Sequence, residues 1–301
     1  MEKIPKKTLE DLEYYEVLRQ CADFAITPLG KQACLSLEPK IAVKELLEDL
    51  KAVSEYHASF DNENRIPNHG FEPLITIFSL LSVENSVLDI SVFRIIAVNT
   101  EITNTLLLFL VKFKTYYPTL HSYTDNLYVD KEIKKTIDAV IDRFGEVRDN
   151  ASESLYQIRK QIQQLRSKIS SSFNKALSQY QSAEYLDDIR ESVIENRRVL
   201  AVKAMHRRKV KGAIMGSSKT GSIVFMEPEA THAQNRELQN LLFEEGEEIK
   251  KILSVLTDYF RPHLSYLKLQ HEFLLSIDMV FAKARYAQEI GGLLPTIDLI
   301  D

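Results

Sequence analysis

The chain has 301 residues, a formal net charge of −5, 45% hydrophobic residues and 27% charged residues. This length allows two domains and a substantial core, and the composition is typical of a globular protein, which excludes a disordered or collagen-like chain. The overall negative charge does not suggest a nucleic-acid binder, so such a function would need a local concentration of positive charge.

The cysteines and the N-terminus indicate the compartment. Cys21 and Cys34 lie in apolar helical context, where buried reduced thiols are expected rather than a disulfide or a metal site. The N-terminal segment has no apolar signal core, and the longest apolar run, 106–111, is too short to span a bilayer. We therefore expect a cytoplasmic protein that has no membrane partner.

The first half of the chain has the periodicity of helices. Residues 8–60 predict two or three helices, one of which begins with Thr27 as N-cap and Pro28 at its first position. The polar, Pro- and Gly-bearing stretch 61–73 predicts a loop. Further helices are predicted at 74–82, 89–114 and 130–144, the last of them stopped by Gly145, and Asn150 with Glu153 resembles a capping box.

Two segments with helical apolar spacing, 152–180 and 231–260, predict two long arms. The first begins with the alternating spacing of three and four residues that forms a coiled-coil seam. Each helix would be about 45 Å long, and neither has enough apolar surface to be stable alone. We expect the two arms to pack antiparallel. Glu245 and Glu248 would be either solvated or ion-paired with Lys and Arg of the first arm.

The sequence between the arms is rich in Val and Ile and is interrupted by glycine and Asn196. Short β runs are predicted at 198–205, 209–215 and 222–227. A final helix is predicted at 263–290. The predicted fold is therefore mainly α with a small inserted β module. We divide it into a helical core and arms, 1–180 with 231–301, and a clamp at the tip, 181–230.

Positive charge is concentrated in this β module. Between Asn196 and Met226 the sequence has eight basic residues and no Asp or Glu, whereas the rest of the chain is acidic. Such a stretch is either a solvated surface or a set of contacts to nucleic-acid phosphates, which hold position without reading sequence. The candidate backbone-binding residues are Arg197, Arg198, Lys203, Arg207, Arg208, Lys209, Lys211 and Lys219.

No arrangement in the sequence predicts catalysis. Residues Gly216–Ser222 look superficially like a phosphate loop, but Lys219 precedes the second glycine and a strand follows, so a hairpin turn is expected. His206 is expected to be a polar turn residue, since no Cys or acid lies at metal spacing. We predict no catalytic residues and no metal site.

Several stretches together resemble the MutS family, and more closely its second bacterial paralogue, the branch that lacks the N-terminal mismatch-reading domain. The resemblance covers nearly the whole chain, as the core, lever and clamp region. The stretches that carry it are Thr27, Gly30, Pro39, Gly145–Val147, Asn150–Ser152, Ser217–Ser218, Gly221, Phe225–Pro228, Asn235, Glu245 and Asp278–Ala287.

This resemblance implies more than the chain contains. Full-length members carry an ABC-type ATPase, which binds ATP and Mg²⁺ and dimerises, and this branch often adds a nuclease-like domain. No Walker A loop is present in the 301 residues. The resemblance therefore implies a bacterial nucleoid protein whose clamp holds duplex or branched DNA in mismatch repair or in suppression of homologous recombination. The chain itself would need no cofactor and would be a monomer or weak dimer, whereas the parent would be a homodimer.

A different class of function fits the same pattern. A coiled-coil arm with a basic tip could dock on the ribosome or other structured RNA, or on a protein partner, in a structural role. Backbone contacts carry no base information, so the sequence leaves these alternatives open. Salt-dependent binding to branched DNA compared with structured RNA separates them.

Overall fold

The computed structural model describes residues 4–297. Its helices are α1 Lys6–Asp11, α2 Tyr14–Ala22, α3 Pro28–Leu35, α4 Val43–Ala58, α5 Ile75–Leu81, α6 Ile90–Lys112, α7 Pro118–Ser122, α8 Glu132–Val140, α9 Glu153–Ser182, α10 Glu229–Phe260 and α11 Leu264–Ile290. Its strands are β1 Leu186–Ile194, β2 Arg197–Lys203, β3 Gly212–Ser217 and β4 Ile223–Pro228. The predicted fold class, mainly α with a small inserted β module, is confirmed.

The chain divides into two compact units. One consists of the residues up to Glu146 together with those from Leu253 onward, and the other is Val147–Ile252. We refer to them as the core unit and the arm unit. This division groups most of both arms with the sheet. The predicted domains 1–180 with 231–301 and 181–230 group the arms with the core, and they stay a prediction about how the chain folds.

The core unit is built around α11. Its buried side chains, among them Phe273, Leu274 and Ile277, pack with residues of α4 and α6 such as Tyr56 and Leu106. A helix that buries residues around most of its circumference needs neighbours on several sides, and the other helices of the unit provide them. The core thus holds α11 as its central element.

Helix α6 is the one helix within residues 4–297 that is long and apolar enough to cross a membrane. Its buried positions include Phe93, Ile96 and Leu110, while Val98 and Leu108 are exposed on the opposite side. Of its most apolar window, 44% is buried inside the protein. This burial is what a core helix of a globular unit requires.

The arm unit confirms the antiparallel packing of the two long helices. The seam contains Ile162 and Leu165 of α9 against Leu241 of α10. Nearer the beginning of α9, Arg159 donates to Glu245 at 2.7 Å, so the acid that interrupts the apolar pattern of α10 is ion-paired across to the first arm. Ser152 Oγ donates to Glu248 at 2.7 Å. Residue numbers that rise on one helix as they fall on the other establish the antiparallel direction.

The sheet has the strand order β1-β2-β4-β3, and all neighbouring strands are antiparallel. The three predicted β runs correspond to β2, β3 and β4. Strand β1 was not predicted, because its sequence is acidic and Asp is depleted in strands. As an edge strand with a register shift between Leu186 and Glu191, it keeps much of its surface in water.

Some helix ends differ from those predicted. Helix α8 ends at Val140, before Gly145, because Ile141 is already extended. The N-cap of α9 is Ser152, whose hydroxyl accepts from the Leu155 N–H at 3.0 Å, so the predicted capping role of Asn150 is wrong. The predicted cap at Thr27 is confirmed: its side chain accepts from the Gly30 N–H at 2.9 Å.

Candidate nucleic-acid interface

The connection from β2 to β3 carries much of the positive charge of the sheet. Since β4 lies between these strands, residues 204–211, which we call the crossover loop, must pass over one face of the sheet. The loop begins where the Ala204 N–H donates to the Ser222 carbonyl at 2.9 Å, and it ends where the Lys211 carbonyl accepts from the Glu229 N–H at 3.1 Å. The side chain of Val210, a residue of the loop itself, is buried in the hydrophobic cluster of the module. The loop is thus held by a hydrogen bond at each end and by a buried side chain near its C-terminal end.

Six of the eight predicted basic residues form no salt bridge within residues 4–297. Five of these side chains are exposed and one is half-buried. They lie on the crossover loop, immediately before it, or in the turn between β3 and β4, and the two segments are joined by the hydrogen bond of Ala204. We call the set the six-cation surface: Lys203, Arg207, Arg208, Lys209, Lys211 and Lys219.

Arg197 has an intramolecular partner. Its guanidinium lies 3.1 Å from Glu227, whose side chain is fully buried. The same carboxylate accepts from Asn235 at 2.6 Å and lies 3.3 Å from His232 Nδ1. A buried carboxylate needs a cation or several donors, so Arg197 is committed to Glu227. The motif residues Glu227 and Asn235 therefore meet in one network.

Arg198 is also held within the module. Its guanidinium lies 2.6 Å from Glu191 on β1 and 4.2 Å from the centroid of the Phe173 ring. Both contacts orient the side chain over α9, and the cation–π geometry suits an arginine. Arg197 and Arg198 thus differ from the six-cation surface, although the sequence gives no sign of it.

An aromatic residue before β1 supports the crossover loop. The His206 ring lies over Tyr185 with ring centroids 4.9 Å apart, and Lys209 Nζ lies 5.2 Å from the centroid of the same ring. The prediction of His206 as a polar turn residue is confirmed, since it ends a short 3-10 turn. Within residues 4–297, no group of three His, Cys, Asp or Glu side chains could hold a metal ion.

The hairpin between β3 and β4 is the predicted turn and not a phosphate loop. The Ser218 N–H donates to the Ile223 carbonyl at 2.9 Å, and Gly221 has a φ of 71°, in the region that favours glycine. No helix follows, so its backbone N–H groups do not form the cradle of a nucleotide-binding loop.

The prediction of a basic β module did not include its acidic residues, because they precede the basic segment 196–226. Strand β1 and its flanking residues carry Glu184, Asp187, Asp188, Glu191 and Glu195. Strand β1 forms one edge of the sheet and β3 the other. The crossover loop and the β3–β4 turn contain no acid, so the two edges differ in charge. The apolar residues of 186–194 follow no alternation, so the sequence carries no clear strand signal for β1.

Three more of the motif residues, Thr27, Gly30 and Asp278, meet in a second polar cluster, in the core unit. Asp278 is fully buried and accepts from the N–H groups of Ile26 and Thr27 at 2.8 and 3.0 Å and from the Thr27 hydroxyl at 2.6 Å. A Cβ on Gly30 would lie 2.1 Å from its carboxylate. Glycine is required there because the carboxylate approaches the backbone closely.

The core unit buries several titratable side chains, among them both cysteines and two histidines. Cys21 and Cys34 are free and buried, as predicted. Their mutual hydrogen bond, together with burial, raises the pKa of the Cys34 thiol, so this thiol stays protonated. Burial lowers the pKa of His69, whose Nε2 lies 3.9 Å from Asp278, and it also lowers the pKa of His271.

The chain is similar in sequence to bacterial proteins named MutS2. It is 29% identical over 304 residues to the putative endonuclease MutS2 of Bacillus subtilis. It is 28% identical over 305 residues to the endonuclease MutS2 of Clostridium perfringens, and 30% identical over 292 residues to that of Carboxydothermus hydrogenoformans. No protein-family model matches the chain.

The similarity covers nearly the whole of this chain but only part of each relative. It includes 97 or 98% of this chain and 37 or 38% of each of these relatives. The chain therefore spans less than half the length of the curated relatives that it matches. The resemblance to the second MutS paralogue, over a partial region, is confirmed.

Proposed function

We propose that this chain, which is related over nearly its whole length to part of the MutS2 proteins, is a module that holds DNA by its backbone. The observation that carries the proposal is the six-cation surface, which has no carboxylate partner within residues 4–297. Cations that are not neutralised within the protein are free to replace the counterions of DNA phosphates.

Charge also determines which side of the sheet would face the DNA. The edge formed by β1 is rich in acids and would be repelled by phosphates, whereas the crossover loop and the β3–β4 turn have no acid. Aromatic side chains that could stack on bases are scarce there, which favours duplex over single-stranded DNA. We propose duplex or branched DNA as the partner, in mismatch repair or suppression of recombination.

Binding should be electrostatic and nearly independent of sequence. About four cations facing one duplex give a slope of log K against log salt concentration of roughly −3 to −4. Replacing Arg207 and Arg208 by Ala should weaken binding to all duplexes alike and flatten this slope by about one unit per lost contact. A salt titration by fluorescence anisotropy measures both.

Lys250 and Lys251 provide a matched control. They lie on α10 more than 20 residues from the sheet, which is over ~30 Å along the helix, and they are exposed and paired with acids of the same helix. Replacing both by Ala removes the same two charges from the chain. If this double substitution flattened the salt slope as much as the loss of Arg207 and Arg208, overall charge rather than the six-cation surface would be responsible.

A ribosome- or RNA-docking arm remains the second candidate, because the same cations would contact RNA phosphates. Competition of labelled branched DNA with unlabelled branched DNA, perfect duplex and structured RNA distinguishes the two. We expect unlabelled branched DNA to compete best. Stronger competition by RNA would replace the DNA proposal with the RNA one.

The activities of a whole MutS2-type protein are a further part of the proposal. An ATPase that uses Mg²⁺, a nuclease domain and homodimerisation would belong to regions outside these 301 residues, in a cytoplasmic protein of the nucleoid. For the chain itself we expect no saturable ATP binding by calorimetry, and a monomer or weak dimer by light scattering. A stoichiometric ATP isotherm would contradict this assignment.

A further inference from the structure

Met205 is an exposed apolar side chain that lies between Lys203 and Arg207 in the sequence of the crossover loop and its start. It has 80% of its surface exposed, which is the largest fraction for any large hydrophobic residue in the described arm unit. Its neighbours in the sequence include Lys203, Arg207 and Arg208. An apolar side chain cannot bind a phosphate, so phosphate binding does not explain why Met205 is exposed.

The exposure of Met205 is imposed by its anchored neighbours. Ala204 before it is hydrogen-bonded to Ser222 at 2.9 Å and packs against the buried cluster of the module. His206 after it lies against the Tyr185 ring, with centroids 4.9 Å apart. The Arg207 N–H closes the turn on the Ala204 carbonyl at 3.3 Å. With both flanking residues turned inward, the Met205 side chain must project outward.

Cations on both sides of Met205 determine what it would meet. If Lys203 and Arg207 contact phosphates, a side chain between them faces the groove that lies between those phosphates. Proteins that kink DNA from the minor groove commonly insert an apolar side chain, methionine included, between base steps. The unbranched thioether is flexible enough to enter a step that has partly opened.

We propose that Met205 is a wedge that enters the minor groove at a flexible or unpaired step of the DNA held by the six-cation surface. This inference rests on the proposed function, because it needs the DNA to be bound there. Met205 then selects deformable DNA, while the cations supply affinity without selection. Flexible pyrimidine–purine steps and branch points unstack readily, whereas A-tracts are stiff.

The test compares two duplexes of equal length, one with a central TA step flanked by an unpaired nucleotide and one with a central A-tract. A 2-aminopurine at the centre of each reports unstacking by an increase in fluorescence. For the 301-residue chain we expect preference for the deformable duplex. Met205→Ala should reduce this preference on the order of tenfold, since one buried methionine side chain is lost, and abolish the fluorescence increase. The salt slope should stay unchanged.

Three further variants sharpen the result. Met205→Leu should keep both preference and fluorescence. Met205→Lys should bind both duplexes more tightly, because it adds a cation, yet lose the preference. Val193→Ala on β1, at a position of 63% exposure, is the matched control and should behave as the unmodified chain.

The outcomes separate this inference from the function on which it rests. If the unmodified chain binds DNA with the expected salt slope but Met205→Ala matches Val193→Ala in preference and fluorescence, the wedge is refuted and the backbone proposal stands. If the unmodified chain shows no salt-dependent DNA binding, both fail together.

Discussion

Each unit of the chain contains a fully buried carboxylate, and the two are stabilised in different ways. Asp278 of the core unit is surrounded by donors of the segment that opens α3, namely two backbone N–H groups and the Thr27 hydroxyl. Glu227 of the arm unit is held by side chains, with Arg197 as its cation. The first arrangement fixes a helix start against α11. The second neutralises charge inside a basic module.

This difference shows how a module with a basic surface can contain a buried carboxylate without being destabilised by it. The carboxylate of Glu227 occupies one arginine, and Glu191 occupies another. The cations left over are those on the crossover loop and the neighbouring turn. The module therefore has fewer cations available for binding than its sequence contains.

The largest effect is expected for Gly30→Ala. The new Cβ would lie 2.1 Å from Asp278 Oδ2, and that carboxylate cannot move without losing buried hydrogen bonds. We expect a loss of roughly 3–4 kcal/mol in the free energy of unfolding, measured by urea denaturation. Gly246→Ala on α10 is the control: nothing lies within 4 Å of its Cβ, so it should stabilise by about 0.5–1 kcal/mol. Equal effects of the two substitutions would contradict the close approach at Asp278.

The second prediction concerns the Glu227 network. Glu227→Gln leaves the guanidinium of Arg197 without its carboxylate, and we expect a loss of about 2–3 kcal/mol, moderated because Arg197 is partly exposed. Arg197→Met in the same background should restore part of this loss. The coupling energy from the double-mutant cycle is the measurement. Additive effects would mean that the pair does not stabilise the module. Among the described residues no arginine is ion-paired with Asp278, so no arginine substitution should rescue the variant Asp278→Asn.

The third prediction is a pH dependence of the core unit. Burial lowers the pKa of His271, whose ring lies between Phe71 and Phe78, so the folded state favours the neutral imidazole. The resulting stability is present above the unfolded value of ~6.5 and is lost as the pH falls through that value toward the lower folded pKa. Between pH 7.5 and 5.5 we expect a loss of about 1 kcal/mol.

The variant His271→Leu isolates this contribution. It removes the titrating group from an apolar site and should flatten the pH dependence of the unfolding free energy in that range. Burial also lowers the pKa of His69, so His69 still contributes its own part of the pH dependence in this variant. If the slope between pH 7.5 and 5.5 were the same in His271→Leu as in the unmodified chain, this histidine would not be the cause.

The smallest effect on folding is expected for Arg207→Ala with Arg208→Ala. Both side chains are exposed and make no salt bridge among the described residues, so the free energy of unfolding should change by less than about 0.5 kcal/mol. The salt slope for DNA should nevertheless flatten. Arg197→Ala should instead clearly lower the free energy of unfolding, because it leaves the buried carboxylate of Glu227 without its arginine partner. Thermal unfolding followed by circular dichroism ranks the two; the opposite ranking would contradict the division of the arginines.

Local periodicity in the sequence was sufficient for much of the fold. The arms followed from apolar residues at helical spacing, because only a partner helix can cover a narrow apolar stripe on a long polar helix. The Thr27 cap and the hairpin at 216–222 followed from turn and capping chemistry that acts over four or five residues. The basic character of the module could also be read directly, since charge is a property of the residue itself.

The tertiary structure decided which of those charges are available and which residues meet. Asp278 and Thr27 are 251 residues apart, and Arg197 and Glu227 are 30 apart, with a crossover between their strands. Strand β1 escaped prediction because an acidic edge strand is stabilised by pairing with β2 rather than by its own propensity. Partners distant in sequence leave no local pattern. In the sequence the eight cations are therefore indistinguishable. In the folded structure Arg197 and Arg198 form ion pairs within the module, and the other six form the six-cation surface.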